Sequence, residues 1–299
     1  LAAMFIMMNA ARLGVGVQGL AQAEVAYQNA VQYAQERRQG KALVNRPDPT
    51  AAADPIIVHP DVRRMLMDAK AFNEAMRALI LWGALQVDLS HKAQTAEERE
   101  AADDMIGLLT PVIKGYGTDR GYDMANAMQQ VFGGHGYIRE WGMEQFVRDS
   151  RIAMIYEGTN GVQAMDLCGR KLPAKGGKAI QAFFKLVDDE IAAAKALDGL
   201  QDIAARLEKA VGEQKAATMW FVQNAMQNPN NLGAGAHHYM HIMGIVSLGR
   251  MWLRMARVAS AKLAEGSQDK SFYEAKIVTA RYFAERFMPD AGALRRKIE

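Results

Sequence analysis

The segment Ile155-Tyr156-Glu157-Gly158-Thr159 sets one carboxylate between an aromatic residue and a flexible glycine. Partial burial beside apolar groups raises a carboxyl pKa toward the range in which it can take a proton from carbon. Glu157 is therefore the first candidate for a general base. The competing reading is a solvated loop glutamate, because function favours loops while most loop carboxylates have none. A second candidate is Gln130-Val131-Phe132-Gly133-Gly134-His135-Gly136-Tyr137, whose glycines bare backbone N–H groups to an anionic or planar ligand. It lacks the G-x-G-x-x-G spacing and a preceding strand, so a tight interhelical turn explains it equally well. Gln35-Glu36-Arg37-Arg38-Gln39 offers guanidinium groups for phosphate, or a solvated helix face. His237-His238-Tyr239-Met240-His241 puts His237 and His241 one helical turn apart, a spacing compatible with a metal. The glutamate of H-E-x-x-H is missing and no carboxylate-rich partner helix is evident, so these histidines read as polar surface or interface groups and no metal is expected. Cys168 has no arranged histidine and reads as a small core residue.

The elements that must position these groups are helices. Half of the 299 residues are apolar, with 19 Met and only 8 Pro, and alternating β-branched runs are nearly absent, so the fold class is all-α. The length exceeds what one core usually serves, which predicts two units in series. The formal charge of +3, from 36 basic and 33 acidic residues, gives no footprint for nucleic acid or an anionic membrane. A single cysteine excludes an intramolecular disulfide framework and fits a reducing compartment, with the cytoplasm as default. No stretch approaches the roughly 20 apolar residues of a bilayer span. Leu1 to Met8 is interrupted by Asn9 and Arg12 and reads as a core helix start, not a signal peptide. Because the chain opens on Leu and goes straight into a helical pattern, it is expected to be part of something longer.

The first helix is expected over 4–39, with Gly14, Gly16 and Gly19 at close-approach positions. Pro47, Pro49, Pro55 and Pro60 make 40–60 a loop. A stripe of Val62, Met65, Leu66, Ala69, Phe72, Met76, Leu79, Ile80 and Gly83 then draws a helix to about His91. Thr95 and Glu98 have capping-box spacing for a third helix to Lys114, and Thr118-Asp119 is expected to start a fourth that ends at Phe132. A short helix over 143–153 precedes the Glu157 loop, and Thr159 can cap a helix to Lys171. Pro173 with Lys175-Gly176-Gly177-Lys178 marks the boundary between units 1–172 and 173–299. Four helical patterns follow over 177–197, 199–227, 232–265 and 268–288, the third burying Ile242, Ile245, Val246, Gly249, Trp252, Met255, Ala256 and Ala259. Arg295-Arg296-Lys297 reads as a solvated tail.

In order, these segments resemble the C-terminal helical domain of the acyl-CoA dehydrogenase family: a long helix ending in E-R-x-x, then Q-x-F-G-G-x-G-[YF], then I-Y-E-G-T. All three are present, with Arg148-Asp149 leading into the last, and the resemblance covers 1–172. It implies a four-helix bundle, FAD as cofactor, and α,β-dehydrogenation of an acyl-CoA thioester to a trans-2-enoyl-CoA. Glu157 matches the catalytic base, which takes the α-proton while the β-hydrogen leaves as hydride to the flavin. The thioester oxygen is then held by the base's own backbone N–H and a flavin hydroxyl. In some relatives the base projects from the first long helix; here that position is Ala11, which cannot serve. The resemblance assigns Asn9, Arg12 and Tyr156 to substrate, with Asn9 replacing the more usual aspartate. Arg37, Gln39, Gln130, Gly133 and Gly134 match contacts to a neighbouring subunit's flavin, although a Pro-rich insertion precedes His59. Gly158 and Thr159 match contacts to the chain's own flavin, and Gly161 departs from a common glutamine. A homodimer or dimer of dimers and an electron-transfer flavoprotein acceptor are also implied. Residues 173–299 resemble the extension of larger bacterial members of the 3-methylmercaptopropionyl-CoA dehydrogenase type. Nothing here resembles the family's N-terminal helical and middle β-domains, so the chain alone is expected to bind flavin weakly and turn over little substrate. Two alternatives remain: a non-catalytic, nucleic-acid-associated relative, which the balanced charge disfavours, and an oligomerisation module.

Overall fold

The computed structural model describes residues 2–225 and 227–299, with side chains from Met7 onward. Leu1, in the stretch read as a helix start, and Met226, in the helix expected over 199–227, lie outside the described residues. Two bundles share one continuous apolar core. The first is built from α1 (Ala2–Glu36), α2 (Pro60–Lys92), α3 (Ala96–Val131), the single turn α4 (Gly134–Tyr137), α5 (Met143–Ala153) and α6 (Asn160–Asp166). The second comprises α7 (Lys178–Lys195), α8 (Gln201–Asn224), α9 (Pro229–Ala264), α10 (Lys270–Arg286) and α11 (Asp290–Ile298). No strand occurs among the described residues, so the all-α expectation holds; the one β-bridge joins Arg38 to Pro55.

The expected break at Thr118 is absent: α3 runs without interruption for 36 residues. Gly115, Gly117 and Gly121 look like breakers in sequence, but they are interior helix positions that let neighbours approach. A methyl at Gly19 would lie 2.8 Å from the Gly117 carbonyl oxygen and 2.9 Å from the Thr118 Cα, and one at Gly16 would meet Ile113. The crossing of α1 over α3 is thus backbone against backbone, and continuous tertiary contact overrides the poor helix propensity of glycine. Gly14 faces open space and takes no part. Thr95 and Glu98 do form the reciprocal capping box at the start of α3.

Two chain ends also differ from the pattern. Helix α1 stops at Glu36, because Arg37 to Gln39 turn outward to pair with Asp54–Ile56 of the proline-rich loop. Asp54, fully buried, anchors that loop by accepting from Arg46 and from the Ala42 N–H. The basic tail is the helix α11, with Ala291 and Ile298 buried and Arg295 paired with Glu213 and Glu299. Its charges punctuate an amphipathic helix.

Helix α9 is the spine of the second bundle and packs against α2, α3 and α6 of the first. The expected stripe is buried apart from half-exposed Met255, each large side chain adding about 1.5–3 kcal/mol of burial. Trp252, fully buried, donates its indole N–H to the Ala71 carbonyl of α2 at 2.9 Å. Lys276 to Glu74 and Tyr282 to Asp68 add polar ties across the seam.

Candidate active site

Glu157 sits in the turn between α5 and α6 with φ at +55°, in the left-handed region that a side-chain-bearing residue rarely adopts. Gly158 follows at φ +84°, and Thr159 caps α6 by accepting from the Val162 N–H. Such backbone persists only where its surroundings over-determine it, and here they do. The Glu157 carbonyl accepts from Arg12 Nε at 3.3 Å and from Gln163 Nε2 at 3.4 Å. The Gly158 carbonyl accepts from Lys114 Nζ at 2.8 Å and from Gln163 Nε2 at 3.3 Å. By contrast, among the described residues the Glu157 carboxylate makes no hydrogen bond or ion pair, and its backbone N–H makes no hydrogen bond. The loop is tied down by its carbonyls, which leaves an acceptor carboxylate and a free donor side by side.

The groups that hold the loop are themselves held. Arg12 is buried, bonding to Asn9 Oδ1 at 3.2 Å and lying 3.8 Å from Asp166. Lys114 is fully buried and also donates to Asn160 Oδ1 at 2.7 Å. Burial drives its pKa down to about 8, with Asp119 acting in the opposite sense. Asn160 passes the tie on, donating to Asp119 Oδ1 at 2.7 Å and to the Thr118 hydroxyl. Tyr156 is half-buried and its hydroxyl meets the Gln18 side chain of α1. Asn9, Arg12, Tyr156, Gly158 and Thr159 are therefore brought around Glu157 as a group. Their assigned ligand contacts are a separate matter, and for Arg12 the visible work is holding the loop.

The remaining residues singled out in the sequence meet elsewhere. Arg37, Gln39, Gln130, Gly133 and Gly134 line one groove of about 480 Å³, with His59 at its edge. Gly133 has φ +58°, and a methyl on either glycine would meet nothing within 4 Å, so their surface is open to a flat ligand. Beneath them Tyr33 stacks on Phe132 at 4.0 Å, Trp141 stacks on His135, and the Tyr33 hydroxyl lies 2.9 Å from His135 Nδ1. The Arg37 side chain is exposed and unpaired among the described residues. The 24 residue-to-residue steps of α1 from Arg12 to Glu36 carry the chain about 36 Å at about 1.5 Å per step, so this groove and Glu157 are distinct places. Two further concavities open between α2 and the second bundle around Trp82 and Arg250, and neither is lined by any of these residues.

Sequence reasoning missed Lys114, Gln163 and Asn160. A signal existed for the first: a lone lysine between Ile113 and Gly115 on an otherwise apolar stretch has to be buried with partners. Cys168 is buried in the core as expected, and burial pushes its thiol pKa up, away from reactivity.

The described residues thus form a helical bundle that presents an unpaired carboxylate from a braced loop. The family model described as acyl-CoA dehydrogenase, C-terminal domain, matches residues 2–172, and one described as acetyl-CoA dehydrogenase C-terminal like matches 178–299. The chain belongs to the acyl-CoA dehydrogenase family. It is 40% identical to the 3-methylmercaptopropionyl-CoA dehydrogenase of Ruegeria pomeroyi over 97% of this chain and 49% of that protein. It is 33% identical to a broad-specificity linear acyl-CoA dehydrogenase of Mycobacterium tuberculosis over 100% of this chain and 50% of that one. The chain thus spans about half the length of the relatives it matches. An acyl-CoA dehydrogenase complexed with FAD from Bacillus anthracis shares the fold, with a TM-score of 0.75 at 18% identity over 99% of this chain and 48% of that one. No helix among the described residues is long and apolar enough to cross a membrane.

Proposed function

We propose that this chain is the helical C-terminal half of an FAD-dependent acyl-CoA dehydrogenase in which Glu157 removes the α-proton of an acyl-CoA thioester. The observation that carries the reading is the Glu157 turn: a strained, carbonyl-braced loop that leaves both the carboxylate and the adjacent N–H unpaired. An α-hydrogen is too weakly acidic for a carboxylate alone, so the thioester oxygen needs a donor as enolate character develops. The Glu157 N–H stands next to the base and suits that task. Bound flavin would supply the hydride acceptor for the β-hydrogen, giving a trans-2-enoyl-CoA. Lys114, Gln163 and Arg12 fix the loop so that base and donor address one substrate together, which is worth more than either alone.

The second groove supports flavin binding by a different active site. Its exposed guanidinium fits a phosphate, and its two open glycines fit close approach of a dinucleotide. Lying about 36 Å along α1 from the Glu157 loop, it serves a cofactor other than the one at Glu157, which fits a homodimer or dimer of dimers. An acyl-CoA substrate, an electron-transfer flavoprotein acceptor and a cytoplasmic setting complete the proposal. The test is Glu157→Gln in the full-length protein against an acyl-CoA panel. Dehydrogenation should fall by about 10²–10⁴-fold. Near-normal flavin bleaching would remove Glu157 from the base role.

A further inference from the structure

Two histidines that looked like surface groups in the sequence acquire a third partner in the fold. Helix α9 presents His237 and His241 on one face, with ring centroids 4.3 Å apart. On α3, which crosses α9, Asp119 lies with its Oδ2 2.9 Å from His241 Nε2. One ligand atom from each of the three falls within 4.8 Å of the other two. We propose that Asp119, His237 and His241 form a binding site for a divalent transition-metal ion, with zinc the best fit, at the seam between the two bundles.

The donor set argues for the class of ion. Two imidazoles and one carboxylate suit a borderline-soft cation, whereas magnesium and calcium ask for oxygen on nearly every side. A tetrahedral ion with ligands at about 2.0 Å sets them about 3.3 Å apart. His241 and Asp119 need to open by only about 0.4 Å from their present contact, and the rest of the closure falls on the exposed His237.

The site also has outer support of the kind that orients metal ligands. Asp119 Oδ1 accepts from Asn160 Nδ2 at 2.7 Å, which leaves Oδ2 aimed at the histidines. The His241 ring packs edge-on to buried Tyr116 at 5.2 Å. The exposed side at His237 leaves room for water in the remaining position. An ion here would clamp α9 to α3 next to Asn160, which with Lys114 braces the loop bearing Glu157. This inference does not depend on Glu157 being a base.

The test is a calorimetric zinc titration of the tag-free chain after chelator treatment, with a cobalt visible spectrum as the probe of coordination. One equivalent should bind at micromolar or tighter affinity, and cobalt should give the intense bands of a four-coordinate site. His237→Ala and His241→Ala should each weaken binding at least tenfold, while His238→Ala, which offers no atom to the three-donor cluster, should not. Zinc should raise the thermal midpoint of the wild type and leave that of His237→Ala where it was. Should His241→Ala fail to fold, His237→Ala carries the test, since its ring is exposed. Absence of saturable binding, wild-type affinity in His237→Ala, or equal loss in His238→Ala overturns the proposal.

Discussion

Replacing Lys114 by Met tests whether the brace beneath Glu157 matters more than the fold around it. Methionine reproduces the unbranched apolar stem of lysine up to Cε, so the stem's space stays filled and the change is confined to the ammonium. Two charge-assisted hydrogen bonds disappear, to Gly158 O at 2.8 Å and to Asn160 Oδ1 at 2.7 Å. Such bonds contribute about 1.5–3 kcal/mol each, and an acceptor left unmet inside costs about 1–3 kcal/mol. The Gly158 carbonyl keeps its weaker partner Gln163, whereas Asn160 Oδ1 has no other among the described residues. Against this, Met removes the cost of holding a buried charge, a cost visible in the pKa of about 8. The balance is a loss of about 2–3 kcal/mol in stability, read as a lower denaturant midpoint with unchanged slope. In the full-length protein the loop carrying Glu157 loosens, and a shift of about 1 Å in a base costs on the order of 10²-fold in kcat. KM should move far less, because Lys114 lies under the loop and not on its exposed side. If Lys114→Met retained full kcat while losing stability, the lysine would be a fold residue and the brace argument would fail. If it lost neither, the hydrogen bonds would carry no weight.

The helix crossing gives a matched pair. Gly19→Ala, whose methyl meets backbone on α3 at 2.8 Å, should cost about 1–3 kcal/mol of overpacking less about 1 kcal/mol of helix propensity, and Gly14→Ala, facing open space, should gain about 0.5–1 kcal/mol in chemical denaturation. Loss of stability in both, or in neither, would place the crossing elsewhere. Lys114 also fixes a pH dependence. Its folded pKa of about 8 lies below the ordinary 10.5, so the unfolded chain holds the extra proton between those values. The stability of wild type relative to Lys114→Met should therefore rise from pH 8 toward 10.5 and be lost as pH falls through 8; paired melts across that range with a flat difference would contradict it. Trp252→Phe removes the indole bond to Ala71 across the seam and should lower stability by about 1 kcal/mol while leaving a single unfolding transition, because the core is continuous; two separated transitions in calorimetry would show independent bundles.

Much of this was legible in the residues. The stripe from Val62 to Gly83 and the stripe along α9 follow directly from helical periodicity, and the capping box at Thr95 appears as spaced. Where the reading stopped short, the cause was the same each time: a local signal overridden by a contact distant in sequence. Gly115 and Gly117 resemble a helix stop until α1 lies across α3, when their lack of a side chain becomes the reason the helices touch. Arg37 to Gln39 look helical until the proline-rich loop returns to pair with them. Asp119 looked like a helix start, and only the packing of α9 on α3 brings it to His241. Glu157 is legible as a motif, but its surroundings are not, since Lys114 and the adjacent Gly158 are 44 positions apart and meet through tertiary structure alone.

The two arms of α1 explain why one long helix dominates the first bundle. Its early turns supply Arg12 to the Glu157 loop, and its last turn supplies Tyr33 and the approach to Arg37 for the distant groove. A rigid rod fixes the separation of these places at about 36 Å, which a loop could not do. The backbone-to-backbone crossing at Gly16 and Gly19 then locks the rod onto α3, the helix that carries Lys114 at its centre and Gln130 at its end. Both places are thus set by the same two helices. A change that lets α1 slide on α3 should move the Glu157 brace and the glycine groove together. Gly19→Ala is the variant that makes that coupling measurable: it should lower kcat and weaken flavin retention in the full-length protein in the same variant, although it touches neither site.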